Sequence, residues 1–380
     1  MAEASRPVGA AGATHRARVS DRLPTFPWDT LTEAAAAARE HPDGIVDLSV
    51  GTPVDPVAPV IRDALAAAAA APGYPFTAGT PALRASTVAA LHRRYGITGL
   101  AEHAVLPVIG TKELIAWLPT LVGLGPRDTV VIPELAYPTY EVGARLAGAA
   151  VIAADSLTQL GPQAPALLYL NSPSNPAGRV LGAEHLRKVV GWARERGVVV
   201  ASDECYLGLG WDARPLSVLH PSVSDGDHTG LLAVHSLSKS SSLAGYRAGF
   251  VAGDPELVRE LLAVRKHAGM MVPNPVQAAM VAALDDDAHV VAQRERYARR
   301  REALHAAFTA AGLRIEHSEG GLYLWATRGE PGRATVAWLA RLGILVAPGD
   351  FYGPAGANHV RIALTATDER VAAAVDRLTG

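Results

Sequence analysis

The sequence predicts an α/β fold, with a large unit built on a mostly parallel sheet sandwiched by helices and a smaller α/β unit after it. Three observations carry this. Short apolar runs alternate with longer helical patterns, the signature of βα architecture. Several of those runs are Val-, Ile- or Leu-rich at nearly every position, as strands covered by helices on both faces must be. Polar motifs follow three of the runs directly, and open α/β sheets bind ligands outside the carboxyl ends of their strands.

Taken in chain order, residues 1–20, MAEASRPVGAAGATHRARVS, contain basic residues and no apolar signal core, and are expected to be a disordered tail. Residues 21–51, with the aromatics and prolines of RLPTFPWDTL, are expected to form an N-terminal arm and part of the small domain. The large domain, whose strand ends carry the polar motifs, is expected over 52–284. Its strands are predicted at 129–132, 151–153, 166–170, 198–202, 231–235 and 249–252, with helices between them, among them 183–195 and 255–267. The stretch AVLPVIGTKELIAWLPTLVGLG has the length of a membrane span, but Lys112, Glu113, glycine and proline interrupt it. It reads instead as strand, turn and buried helix. From 285 to 380 a smaller domain is expected, with the charged helix QRERYARRREALHAAF, then GLYLWAT, GILVAPG, HVRIAL and a final helix from Thr367.

The formal net charge of −2 argues against nucleic acid or an anionic membrane as the main partner. Cys205 is the one cysteine of the chain, which excludes an intramolecular disulfide and fits a reducing, cytoplasmic compartment. No metal site is expected.

Only four of the 35 lysines and arginines are lysine, so each lysine stands out. Arginine stays charged at any workable pH, whereas a lysine amine can lose its proton and act as base or nucleophile. Lys188, in AEHLRKVVGWARERG, reads as part of a solvated helix face. Lys266 falls near a helix end that favours cations. Lys112 opens a helix after Gly110 and Thr111, where free backbone N–H groups make an anion site. Lys239, in HSLSKSSSLAGYRAGF, is set in a loop of small hydroxyl residues and is the covalent candidate.

A lysine that forms a Schiff base with an aldehyde cofactor needs a phosphate site, a partner for the ring nitrogen and a face to stack on the ring. Ser236, Ser238 and Arg247 flank Lys239 and can hold a phosphate dianion beside the amine. Gly110, Thr111 and Lys112 can add a helix N-terminus to the same phosphate. Asp203 ends a buried strand, where an isolated carboxylate is costly unless a cation such as a protonated pyridine nitrogen faces it. Tyr206 and Asn175 can hydrogen-bond a ring hydroxyl, and Tyr137 can stack on the ring. Each motif has a plain alternative when taken singly. GTK lacks the spacing of a nucleotide P-loop, SDECY serves equally as an acidic loop, and Arg361 in HVRIAL as a strand-end charge. Their joint order is what makes them specific.

In that order the motifs resemble the fold type I, class I/II aminotransferases, from about Pro24 to the C-terminus. DLSVGTP resembles the loop whose glycine, here Gly51, lies against the substrate. YPFTAGTPALR resembles the segment whose tyrosine, here Tyr74, reaches the phosphate held by the partner subunit. NSPSNPAG is similar to the asparagine-proline-glycine motif, with Ser172 where asparagine is common and Asn175 kept. SDECY resembles the aspartate-tyrosine pair, SLSK with Arg247 the lysine-to-arginine spacing, and HVRIAL the segment whose arginine, here Arg361, binds the substrate α-carboxylate.

The resemblance implies pyridoxal 5'-phosphate, ping-pong kinetics with amino acid and 2-oxo acid substrates, and a homodimer with shared sites. It makes Lys239, Asp203 and Tyr206 the catalytic residues, and Asn175 also a substrate contact. Further stretches, among them FPWDTL, VGTPVDPVAP and RKHAGMMVPNPVQAAM, are similar to the branch that serves diaminopimelate and lysine synthesis. That similarity implies amino transfer between glutamate and N-succinyl-2-amino-6-oxopimelate. An aminotransferase of other specificity, for aspartate or alanine, and a C–S β-lyase of the same fold stay open. Arg22, Arg265 and Lys266 are candidate cations for the distal end of such a substrate.

Overall fold

The computed structural model describes residues 18–380. The tail expected over 1–20 lies outside the described residues as far as 17, and its last part enters a single helical turn, Val19–Arg22. In chain order the strands are β1 (Val46–Asp47), β2 (Val105–Val108), β3 (Thr129–Ile132), β4 (Ala150–Ala153), β5 (Leu167–Asn171), β6 (Val199–Asp203), β7 (Leu231–Ser236), β8 (Gly249–Gly253), β9 (Arg314–Glu316), β10 (Tyr323–Thr327), β11 (Ile344–Leu345), β12 (Ala347–Pro348) and β13 (Val360–Ala363).

Seven of them form one sheet in the order β2-β8-β7-β6-β5-β3-β4. It is mostly parallel, and β8 alone runs against its neighbours β2 and β7. Strands β5 and β6 are apolar at successive positions because both faces are covered, and the two-residue period sorts them. Leu168 and Leu170 pack with the helices Pro81–Tyr95 and Ala183–Arg196 through Leu83, Leu91, Leu186 and Val190. Leu167 and Tyr169 face the other way, toward Leu114, Leu118 and Tyr140 of the helices Thr111–Leu121 and Thr139–Ala147. The stretch that had the length of a membrane span is β2, a turn at Gly110 and the helix Thr111–Leu121. Among the described residues no helix is long and apolar enough to cross a membrane.

The C-terminal part of the chain builds a four-stranded antiparallel sheet, β12-β13-β10-β9. Its apolar face packs on the helices Ala288–Ala310 and Asp368–Thr379 through Leu304, Phe308, Val371 and Ala374. Residues from the other end of the chain join this unit. β1 pairs in parallel with β11, Val46 opposite Ile344, and the helix Thr32–Arg39 packs on Gly332–Arg341.

The long helix Ala288–Ala310 is fastened to the loop after β1 by a buried ion pair. Arg300 Nη1 and Nη2 donate to the two carboxylate oxygens of Asp55 at 2.8 and 2.6 Å, and Arg300 Nε donates to Asp368 at 2.6 Å. The Arg300 and Asp55 side chains are 4% and 10% exposed. Removing one partner leaves a charge stranded in the interior. Arg300→Ala is therefore expected to lower unfolding stability by about 3–5 kcal/mol, read from urea denaturation; a loss too small to measure would show that the pair does not hold the helix.

Candidate active site

A cavity of about 580 Å³ opens at the carboxyl ends of β5, β6 and β7, where Asn175, Asp203 and Ser236 stand. One end of it is an anion cradle. The helix Thr111–Leu121 starts at Gly110 with no side-chain cap, so its first N–H groups and the positive end of its dipole face the cavity. Gly110 has φ +90°, and a Cβ there would collide with a guanidinium nitrogen of Arg247. Only glycine lets the helix end and the guanidinium approach so closely. Arg247 is itself left-handed, at φ 58°, and its Nη1 donates to Ala244 O at 2.7 Å. Ser236 Oγ accepts the Ser238 N–H at 3.1 Å and caps the short turn Leu237–Ser240. Thr111, Lys112 and Ser238 also line the cavity. The Lys112 amine lies 5.4 Å from the Phe26 ring centroid; burial, and then Arg247, push its pKa down.

The turn Leu237–Ser240 carries Lys239 into the cavity, where Nζ donates to Gly51 O. Its amine titrates below the ordinary lysine value because burial penalises the charged form. Tyr323 and Cys205 oppose that shift, and Arg361 and Arg247 add to it. From the sheet comes Asp203, buried at the end of β6. Its Oδ2 accepts the Tyr140 hydroxyl at 2.8 Å and its Oδ1 the Cys205 N–H at 3.1 Å. It has no ion-pair partner among the described residues, and burial raises its carboxyl above the usual range. Tyr140 stacks on Tyr169 at 4.6 Å and meets Tyr137 edge-on at 5.8 Å. Burial pushes the Tyr137 hydroxyl up to about 12. Asn171 ties two strand ends together, accepting the Asn175 N–H at 2.6 Å and donating to Asp203 O at 2.9 Å.

Arg361, on β13, is 2% exposed. Nη1 donates to Asn175 Oδ1 at 2.9 Å and Nη2 to Ser49 O at 2.6 Å. The guanidinium carbon lies 3.9 Å from the centroid of the Tyr323 ring and 5.0 Å from that of Tyr352. Nε has no hydrogen-bond partner, and no carboxylate pairs with the group among the described residues. A buried guanidinium in that condition is built for an anion that arrives from outside.

The fold thus brings Gly51, Thr111, Lys112, Tyr137, Asn175, Asp203, Tyr206, Ser236, Ser238, Lys239, Arg247 and Arg361 onto one cavity, with Gly110 at its edge. Tyr74 stands apart, 91% exposed on the surface. Of the candidate distal cations none lines the cavity. Arg265 is fully buried and held by both carboxylate oxygens of Glu113 at 3.0 and 3.1 Å, so it is a structural ion pair and not a substrate contact.

Several lining or supporting residues escaped the sequence reading. Tyr323 shares a 3.0 Å hydroxyl contact with Tyr206 and packs so tightly on Gly51 that a Cβ there would collide with its oxygen. Trp28 and Phe26 of the N-terminal arm form part of the wall, their rings 5.6 Å apart. The signal available was one tyrosine in the apolar strand GLYLWAT, and nothing in the chain placed it opposite Gly51.

A mostly parallel sheet flanked by helices, joined to a small α/β unit, is the fold type I aminotransferase architecture. The sequence profile described as "Aminotransferase class I and II" matches residues 43–378. The chain belongs to that family, whose members are pyridoxal phosphate enzymes. It is 78% identical over 372 residues to a probable aminotransferase of Mycobacterium tuberculosis, covering 98% of this chain and 88% of that protein. It is 62% identical over 357 residues to the 4-dedimethylamino-4-oxo-anhydrotetracycline transaminase OxyQ of Streptomyces rimosus, covering 94% and 99%. Among solved structures, a probable N-succinyldiaminopimelate aminotransferase from Thermus thermophilus superposes with a TM-score of 0.84 at 28% identity, covering 93% of this chain and 99% of that one.

The residues present fit pyridoxal phosphate on three structural grounds. The uncapped helix end with Arg247 suits a phosphate, the buried Asp203, without an ion-pair partner among the described residues, suits a protonated ring nitrogen, and an amine of lowered pKa lies within the same walls. Arg361→Leu is expected to lower kcat/KM for α-amino acids about 100-fold, the scale of a lost charge-assisted pair, while leaving the cofactor absorbance in place. Unchanged steady-state kinetics would remove Arg361 from the substrate site.

Proposed function

We propose that the chain is a ping-pong aminotransferase that takes the amino group of glutamate and delivers it to N-succinyl-2-amino-6-oxopimelate, working as a homodimer with shared sites. The observation that carries amino transfer is the buried Arg361, with its unpartnered Nε, in one cavity with the Lys239 amine. When bound, the cofactor supplies an aldehyde for covalent attachment and a ring that withdraws electrons from the substrate Cα. Lys239 Nζ would hold that aldehyde and, once displaced by the incoming amine, would carry the proton between the substrate Cα and the carbon that bore the aldehyde, as base and then as acid. A lowered amine pKa makes this possible near neutrality, because more of the group is then an unprotonated base. Asp203 keeps the ring nitrogen protonated, which in turn relieves its own unpaired burial. Tyr206 and Asn175 hold the ring hydroxyl, and Tyr137 covers one ring face. Ser236, Ser238, Arg247 and the start of the helix Thr111–Leu121 anchor the phosphate.

Arg361 orients the α-carboxylate as a bidentate fork and so fixes the direction of the Cα–H bond. Asn175 accepts from the same guanidinium, which couples the substrate clamp to the cofactor ring.

The acceptor assignment draws support from the Thermus relative's name. A second reading has an observation of its own, since the relative at 62% identity is named for a polycyclic ketone acceptor and the wall here is aromatic, with Phe26 and Trp28. Tyr74 at 91% exposed and Phe76 at 67% form an apolar surface that a partner subunit would cover.

Half-reaction titrations of the purified enzyme separate these readings through the cofactor spectrum. Glutamate and N-succinyl-diaminopimelate should each convert it fully, with aspartate and alanine far weaker. Conversion by glutamate without response to the succinylated amine would overturn the acceptor, and release of pyruvate with ammonia from cysteine conjugates would favour elimination instead. Lys239→Ala should lose both the attached-cofactor absorbance and turnover.

A further inference from the structure

Past the last rung of the β6–β7 ladder, where Glu204 N donates to Val234 O at 2.9 Å, the strand ends are joined by a buried pair that stands outside the cavity. Glu204 Oε2 and His235 Nε2 face each other at 3.4 Å, with the two side chains 1% and 6% exposed. Neither atom has a hydrogen-bond partner at ordinary distance. The second carboxyl oxygen of Glu204 accepts the Val218 N–H at 2.8 Å. The imidazole is stacked on Phe250 at 5.0 Å and near Tyr95 at 6.1 Å, so it is held facing the carboxyl group. A neutral imidazole carries one N–H; with that proton on Nδ1, Nε2 is an acceptor, and one proton on the carboxyl converts two opposed lone pairs into a bond.

The pair sits directly behind the site. Glu204 follows Asp203, and His235 precedes Ser236. Glu204, His235, Ser236 and Lys239 line one cleft of about 40 Å³ on the far side of the lysine turn. Neither Glu204 nor His235 lines the main cavity, so both act through their neighbours.

We propose that Glu204 keeps a proton on Oε2 and donates it to His235 Nε2, and that this bond sets the spacing at which β6 presents Asp203 and β7 presents Ser236 and Lys239. The consequence for catalysis rests on the aminotransferase reading, but the bond itself does not. Burial raises the Glu204 carboxyl to about 7, opposed by the Val218 N–H and the nearby Ser217 and Ser202 hydroxyls, and lowers His235 to about 3. Below about pH 7 these shifts place the proton on the carboxyl beside a neutral imidazole, the form with least buried charge. The charged and titratable groups around the pair are Arg94 and Tyr95 from the helix Pro81–Tyr95, Arg294 from Ala288–Ala310, Asp203 and Cys205 beside Glu204, and Lys239 from the turn.

Infrared difference spectra of the cofactor-free and loaded protein, titrated between about pH 5 and 9, read this bond directly. A protonated-carboxyl band should fade with a midpoint near 7 and be missing from Glu204→Gln. A group already ionised at the acid end overturns the proton's placement. Glu204→Leu strands His235 and is expected to weaken pyridoxal phosphate binding about tenfold and move the pH midpoint of the cofactor's visible band, whereas Glu204→Gln, whose amide can donate the same bond, recovers affinity. A folded Leu variant with affinity within about twofold of the parent and an unmoved midpoint refutes the positioning role. The titrating band in a protein without amino transfer would leave the bond standing and overturn the reading of the site instead.

Discussion

Two opposite charges, Asp203 and Arg361, are buried against one cavity and are kept from pairing with each other. Had they met, each would have relieved the other's desolvation and the cavity would have lost its purpose. The structure prevents this by giving each a neutral set of partners. Asp203 accepts from Tyr140 and the Cys205 backbone; Arg361 donates to Asn175 and the Ser49 carbonyl and lies on Tyr323. Such partners hold a charge in place without neutralising it, so both remain available to a ligand that carries a cation at one end and a carboxylate at the other.

Much of the architecture serves that separation. Asp203 reaches the cavity because β6 is central in the sheet, between β5 and β7. Arg361 reaches it because β13 of the smaller sheet packs its strand ends against the loop Ser49–Val50, through Arg361 and Thr365. The Asp55–Arg300–Asp368 bridge fixes the same loop to the long helix of that unit. Gly51 lies within this loop, where Tyr323 leaves no room for a side chain and Lys239 donates to its carbonyl. One short segment therefore touches the lysine, the arginine and the tyrosine that divides them.

How much of this the sequence disclosed follows from how local each cause is. Strands such as 199–203 were legible because cover on both faces calls for a run of apolar residues, here Val198 to Ala201 before Ser202 and Asp203, and the observed ends moved by only a residue. Asp203, Asn175 and Lys239 were legible because a polar residue at a buried strand end is conspicuous within a short window. Tyr140 and Tyr323 were not, since each owes its role to a partner far along the chain and looks locally like any aromatic in an apolar element. Arg265 misled for the same reason. Near a helix end its charge reads as solvated or ligand-facing, and only the approach of Glu113, 152 residues away, turns it into a buried pair.

The Glu204–His235 contact belongs with these long-range causes, yet it bears on the most local of the motifs. SDECY and HSLSK each set a residue that lines the cavity directly beside a neighbour that does not, because side chains alternate along a strand. Asp203 and Ser236 take the front, and Glu204 and His235 the back. The backbone ladder spaces adjacent strands up to this rung, and a hydrogen bond between the rear-facing neighbours just past it would fasten the strand ends further without occupying the cavity. A motif of this kind thus has two faces with two tasks, one toward the ligand and one toward the strand beside it, and the polar residue that touches no ligand is there for the second.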